Sequence, residues 1–117
     1  MKTDAVVRFA PSVAAEEYYL PAEKLISGSP KQTVWKHYAD VSGKFFAGVW
    51  ASEVGKWRVN YTEEEYCRIL EGESVIADVD GNSMTVKVGD EFVIPAGFVG
   101  TWEVLVPTRK TYVIYEA

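Results

Sequence analysis

The chain has 117 residues with a formal net charge of −5, and 48% of its residues are hydrophobic. This length and composition suit one compact domain, and they exclude a nucleic-acid binder because basic residues never cluster beyond the pair Arg109 and Lys110. A single cysteine, Cys67, excludes an internal disulfide and fits a reducing compartment.

The N-terminal residues MKTDAVVRFAPS place Asp4 and Arg8 before any apolar stretch of the kind found in secretion signals. No segment approaches the roughly 20 apolar residues that a membrane-spanning helix needs. We therefore expect a cytoplasmic protein with no membrane partner.

Residues 1–31 are predicted to form an N-terminal arm that packs on the rest of the chain. Within the arm, LPAEKLISG (residues 20–28) predicts one helical turn that Pro21 opens and Gly28 closes. Pro30 then prevents the helix from continuing.

Residues 32–117 are predicted to form a single domain made of β-strands. Short apolar or alternating segments recur, and Asp80-Gly81 is a strong signal for a tight hairpin. No window after Pro30 sustains a helical period. The predicted strands are FFAGVWAS, KWRVNY, EYCRIL, SVIADV, SMTVKV, EFVIP, TWEVLV and KTYVIYE. Many short strands at this spacing indicate a sandwich or a barrel.

Two glycine-anchored blocks carry a resemblance to a known family. The first runs from Gly55 to Gly72 and the second starts at Gly89, and the glycines suit the corners of a barrel. The segments EEYCRILEG, GDEFVIPAGFVGTWEV and RKTYVIYE resemble the cupin superfamily, and within it the cupin_3 group, also called DUF861. The resemblance covers residues 45–116. The group includes the cupin part of ureidoglycine aminohydrolase and the ethanolamine-utilisation Q proteins.

The resemblance implies an all-β fold, a double-stranded β-helix or cupin jelly-roll barrel, here preceded by the arm. Cupins usually hold a metal ion with three histidines and one glutamate. In this sequence the glutamate falls at Glu65, and the first two histidine positions fall at Val59 and Tyr61, or at Arg58 and Asn60. The last histidine is replaced by Gly100.

Valine and glycine have no side-chain donor for a transition metal, and one carboxylate cannot hold such an ion against water. We therefore expect no metal ion and no other cofactor. A metal site with non-standard ligands, in which Glu63 or His37 joins Glu65 and Cys67, stays an alternative.

Without a metal, the strand residues of one parity are predicted to line an apolar, aromatic chamber for a small molecule. The predicted ligand-binding residues are Trp57, Val59, Cys67, Phe98, Trp102 and Tyr112. For the aromatic residues and for Cys67, core packing is the competing interpretation. Arg58 and Asn60 are treated as exposed, but they would line the chamber if the strand parity were opposite.

Glu65 and Tyr61 are the candidate catalytic residues. A carboxylate in an apolar barrel is costly unless it is paired, so Glu65 is either a general acid or base, or the partner of Arg58 or another nearby cation. Tyr61 occupies a histidine position, and its hydroxyl needs a partner if it is buried.

Four functions remain open. The protein binds a small metabolite, or it is a metal-independent isomerase, lyase or aminohydrolase, or a metal enzyme with unusual ligands, or a structural protein that acts through assembly. A second ionisable group facing Glu65 would favour the metal-independent enzyme, and an interior packed solid with Trp and Tyr would favour assembly. We expect the metabolite-binding function and a homodimer, to which the arm could contribute a strand.

Overall fold

The computed structural model describes residues 1–117 and contains nine β-strands. Its only helical segments are two 3-10 turns, Thr3–Ala5 and Ala22–Lys24, and neither has the length or apolar character to cross a membrane. The strands are β1 (Glu16–Tyr19), β2 (Leu25–Ser27), β3 (Lys31–Ala39), β4 (Phe45–Ser52), β5 (Gly55–Asn60), β6 (Glu64–Asp78), β7 (Ser83–Lys87), β8 (Glu91–Ile94) and β9 (Val99–Tyr115).

The two longest strands, β6 and β9, pair with each other in antiparallel fashion along most of their lengths. The sequence predicted two strands in each of these stretches, and that separation is wrong. The register shifts where Gly72 of β6 lies against Pro107 of β9, so both strands bend there instead of ending. Gly72 has a φ of +85°, and a Cβ at this position would lie 2.1 Å from the Pro107 carbonyl oxygen. Glycine is therefore required at the bend.

The bend divides the strand pairings into two sheets. Sheet I has the order β1-β3-β4-β9-β6-β8 and uses the second half of β9 and the first half of β6. Sheet II has the order β2-β5-β9-β6-β7 and uses the other halves of the two long strands. Trp50 of sheet I contacts Trp57 and Trp102 of sheet II at ring-centroid distances of 6.1 and 5.7 Å, so the sheets face each other. The predicted all-β jelly roll is confirmed.

The N-terminal arm contributes one edge strand to each sheet. β1 pairs with β3, which sets Tyr18 opposite Gln32, and β2 pairs with β5, which sets Leu25 opposite Trp57. The helical turn predicted over residues 20–28 is only the 3-10 turn Ala22–Lys24, because Leu25–Ser27 is extended and pairs with β5.

The apolar core lies between the sheets towards β6, β7 and β8. It consists of Trp57, Ile69, Ile76, Val86, Ile94, Trp102 and Val104. Alternation explains the core: in β6, Glu65, Cys67 and Ile69 are buried while Arg68 and Leu70 are exposed. On the other side, residues of β1, β3, β4 and β5 line a cavity.

Candidate functional site

A cavity of about 710 Å³ lies between the two sheets and is partly covered by the arm. Volumes of this order are typical of pockets that hold one small molecule. Sheet I contributes Gln32, Trp50, Glu65, Lys110 and Tyr112, and sheet II contributes Trp57, Val59 and Trp102. Tyr18 of β1 and Leu20, which follows it, complete one wall. The interior is therefore not filled with Trp and Tyr side chains, which is the arrangement that would have favoured a role in assembly.

The structure brings most of the predicted site residues into this wall. Trp57, Val59, Tyr61, Glu65, Trp102 and Tyr112 line the cavity. Two do not. Cys67 is 0% exposed and lies beneath the wall, where it acts as a small core residue. Phe98 lies outside the cavity and packs edge-on against Tyr61, with ring centroids 6.4 Å apart.

The most distinctive feature of the cavity is a buried ion pair. Lys110 Nζ lies 3.1 Å from Glu65 Oε2, and both side chains are less than a tenth exposed, at 6% and 7%. Glu65 is therefore paired, as one of the two interpretations required, but its partner is Lys110 and not Arg58. Burial disfavours the ammonium form of Lys110, but the attraction of the Glu65 carboxylate outweighs it and raises the Lys110 pKa. Lys110 is protonated at neutral pH.

Two indole rings enclose the charged end of Lys110. Its Nζ lies 4.3 Å from the ring centroid of Trp102 and 4.7 Å from that of Trp50. The negative faces of the rings attract the cation and replace part of its lost hydration. Lys110 can reach this position because it lies opposite Trp50 in the β4–β9 ladder and shares its side of β9 with Tyr112. The register of the sheet thus fixes the location of the positive charge.

Two further ionisable groups, Tyr61 and Cys67, lie close to the ion pair. Burial raises the pKa of the Tyr61 hydroxyl, with opposing contributions from Lys110 and Glu65. Burial likewise raises the pKa of the Cys67 thiol to about 12. Both groups are therefore protonated at neutral pH. Tyr61 can donate a proton or a hydrogen bond, and Cys67 is not a thiolate nucleophile.

Hydrogen bonds fix the polar side chains at the β3–β4 side of the cavity. Trp50 Nε1 donates to Gln32 Oε1 at 2.8 Å, and Gln32 Nε2 donates to Ser52 Oγ at 2.7 Å. By contrast, Trp102 Nε1 is a buried donor with no acceptor in the protein. Buried donors are almost always paired, so Trp102 Nε1 is an exception within the core of the protein.

The formal charges around the cavity cancel. Its four carboxylates are Glu16, Glu17, Glu63 and Glu65, and its four cations are Lys24, Lys36, Arg58 and Lys110. Arg58 and Asn60 are exposed, as expected from the predicted parity, although both reach the rim of the cavity. The cavity has no net field that would select strongly for ligands of one charge.

The metal centre that the cupin resemblance implies does not fit these residues. A Cβ at Gly100 would lie 1.9 Å from the backbone carbonyl oxygen of Ala77, so no side chain can be placed there without moving the strand. Val59 has no donor atom, and the Glu65 carboxylate is already bonded to Lys110. No group of three or more His, Cys, Asp or Glu side chains is arranged to hold a metal ion. His37, the one histidine, stacks on Phe9 of the arm at 4.2 Å.

Sequence reasoning missed three important residues of the wall: Lys110, Trp50 and Gln32. Lys110 has the same parity in its strand as Tyr112, which was predicted to point inwards, so alternation alone was a sufficient signal. Trp50 and Gln32 depend on the register between β3 and β4, which sets Gln32 opposite Ser52. No local pattern in the sequence specifies that register.

Comparisons with known proteins support the cupin fold. The family model of the EutQ-like cupin domain, Cupin_3, matches residues 40–112. The chain is similar to a DUF861-family protein of unknown function from Pseudomonas syringae pv. tomato, with a TM-score of 0.79 and 22% identity over 88% of this chain and 45% of that one. It therefore spans less than half of the Pseudomonas protein.

Two other solved structures are also similar to the chain. The EutQ protein of Clostridium difficile has a TM-score of 0.67 and 18% identity, covering 86% of this chain and 81% of that one. A DUF861-family protein of Thermotoga maritima is 36% identical over 55% of this chain and 73% of that one, with a TM-score of 0.53. No curated protein matches the chain.

Proposed function

We propose that this chain, which belongs to the Cupin_3 family of EutQ-like cupin domains, binds one small metabolite between its two sheets without the usual metal centre of cupins. The observation that carries this proposal is the cavity of about 710 Å³ with the Glu65–Lys110 pair in its wall. An apolar chamber with a few fixed polar groups is the usual composition of a small-molecule site.

The walls favour a ligand with a flat apolar part and little net charge. Trp50, Trp57 and Trp102 meet edge to face around the cavity. Such rings provide large and rigid contact surfaces. Because the charges around the cavity cancel, an ion of either sign gains no general attraction from it.

A second candidate function is metal-independent proton transfer. The observation that favours it is Lys110, an ionisable group that faces Glu65 at 3.1 Å. The Glu65 carboxylate would accept a proton from the substrate, and Tyr61 keeps its proton at neutral pH because burial raises the pKa of its hydroxyl. Glu65 would act as the base and Tyr61 as the acid. Lys110 is protonated and therefore does not form an imine with a carbonyl substrate in this state.

The test of binding is a thermal-shift panel of metabolites, followed by calorimetry on every hit. A hit that contacts the site should lose affinity in Tyr61→Phe and Glu65→Gln. Tyr66→Phe is the matched control, because it removes the same hydroxyl from a residue that hydrogen-bonds Glu91 outside the cavity. A hit that is lost equally in the control, or a panel with no hit, would contradict the proposal.

The two candidate functions are separated by following each hit by NMR in D₂O. A binding protein leaves the ligand unchanged. A proton-transfer enzyme exchanges or converts it, and Tyr61→Phe then slows turnover more than it weakens binding.

We also propose that the protein is a homodimer, as symmetric pairs are the commonest oligomers. The arm pairs within its own chain through β1 and β2, so it does not supply a strand to a neighbour in this structure. Light scattering coupled to size exclusion measures the mass directly, and a monomer of 13.1 kDa would contradict the proposal.

A further inference from the structure

The Glu65–Lys110 pair presents a donor and an acceptor side by side at the cavity wall. One of the three N–H groups of Lys110 is used by Glu65 Oε2, which lies 3.1 Å away. The neighbouring faces of Trp50 and Trp102 attract the charge but offer no lone pair. A carboxylate accepts about four hydrogen bonds. Besides Lys110, the Tyr61 hydroxyl and the Cys67 thiol interact with Glu65, so it retains capacity for a further donor.

The pair has no net charge, which limits the kind of ligand group that it can bind well. A ligand carboxylate bonded to Lys110 would lie against the Glu65 carboxylate, and a ligand ammonium bonded to Glu65 would lie against Lys110. In a buried site each like-charge contact is costly, and the ligand ion must also lose its hydration. An uncharged group with its own acceptor and donor next to each other avoids both costs.

We propose that the cavity recognises a ligand with an uncharged donor–acceptor head group of the carboxamide class. The carbonyl oxygen of the head accepts from Lys110, and its N–H donates to Glu65. This inference rests on the proposed binding function and specifies the chemistry of its ligand.

Three compounds that share one shape test the head-group preference: phenylacetamide, phenylacetate and 2-phenylethylamine. Their common phenyl ring suits the indole walls, and they differ in whether the head is neutral, negative or positive. We expect the unmodified protein to bind the amide at least about tenfold more tightly than either ion, a difference of about 1.4 kcal/mol. Ligands of this size bind in the millimolar range, which ligand-observed NMR measures well.

Removing one member of the pair should change the preferred charge. Glu65→Gln leaves Lys110 without its counterion, so phenylacetate becomes the tightest of the three ligands. Lys110→Met leaves Glu65 alone, so 2-phenylethylamine becomes the tightest. Lys87→Gln is the matched control, because it removes one cation from an ion pair outside the cavity. In that pair Lys87 Nζ lies 3.6 Å from Glu73 Oε1, and the amide preference should persist in the variant.

The outcomes separate this inference from the proposed function. Binding of an ion as tightly as the amide, with affinity lost in Tyr61→Phe, would overturn the inference and leave the cavity as a binding site. Failure of all three compounds to bind in the millimolar range would overturn the inference alone, because the metabolite panel tests the proposed function separately. If the two charge variants do not fold, the comparison in the unmodified protein still decides the question.

Discussion

The carboxylate of Glu65 and the ammonium group of Lys110 lie 3.1 Å apart in the wall of the cavity, and both side chains are less than a tenth exposed. The resemblance to cupins places Glu65 where a metal ligand is usual, and here its partner is a covalently attached cation. The ion pair therefore joins sheet-I strands β6 and β9 and also defines the chemistry of the cavity.

Removing one member of this pair should lower the free energy of unfolding more than replacing both members by apolar residues. We expect Glu65→Leu or Lys110→Met to lower the free energy of unfolding by about 3–5 kcal/mol, because each leaves one buried charge uncompensated. The double variant Glu65→Leu with Lys110→Met should recover most of that loss. Urea denaturation measures all three. An additive double variant would contradict the prediction. A cycle on the more exposed Lys87–Glu73 pair provides the control, with little expected coupling.

Stability should fall at alkaline pH. The Cys67 thiol releases its proton near pH 9.0 in the unfolded chain, but burial raises its pKa to about 12 in the folded chain. Between these values the unfolded state binds fewer protons, so the contribution of the thiol is complete below pH 9 and declines as the pH rises towards 12. The raised pKa values of Tyr61 and Lys110 act in the same direction at higher pH.

Urea midpoints between pH 8 and 11 would measure this decline. The contribution of one proton is at most about 1.4 kcal/mol per pH unit. Cys67→Ala should show a shallower decline between pH 9 and 10 than the unmodified chain. Equal slopes in the two proteins would show that the thiol does not contribute.

The same thiol should be chemically inert in the folded protein. Cys67 is 0% exposed and is protonated at neutral pH, so a thiol reagent must wait for the protein to open. We expect labelling by an aromatic disulfide to be at least about a thousandfold slower than in urea. Fast labelling under native conditions would mean that β6 opens locally.

Gly100 should tolerate no side chain. A Cβ there would lie 1.9 Å from the Ala77 carbonyl oxygen, and neither strand can move without disturbing its ladder. We expect Gly100→Ala to cost about 3 kcal/mol or more, at the upper end of overpacking effects. Thr101→Ala, at the adjacent and less buried position, is the control with a small expected change. A fully stable Gly100→Ala would indicate that this part of β9 adapts easily.

Much of the fold could be predicted from local patterns. The glycine-anchored blocks and the alternation in β5 and β6 identified the jelly roll and the cupin_3 group, and the family match confirms the group. The parity argument also placed Trp57, Val59 and Tyr61 on the cavity side. Such patterns work because alternation and turn chemistry are properties of neighbouring residues.

What could not be predicted depends on contacts between distant parts of the chain. Gly72 and Pro107 look like strand breaks when each is read alone, yet they meet in space and allow both long strands to bend and continue. The partner of Glu65 required the register between β6 and β9, which no local signal specifies. Arg58 was the nearer cation in sequence but lies on another strand and donates to the arm backbone.

The bend at Gly72 and Pro107 has a consequence for the cooperativity of unfolding. Because β6 and β9 continue through both halves, we expect that neither half unfolds while the other stays folded. Amide protons on the two sides of the bend should therefore exchange with solvent only through one shared, global opening. The short edge strands β1 and β2 each pair with only one neighbouring strand, so they can detach first. Their detachment would open the cavity while the rest of the domain stays folded.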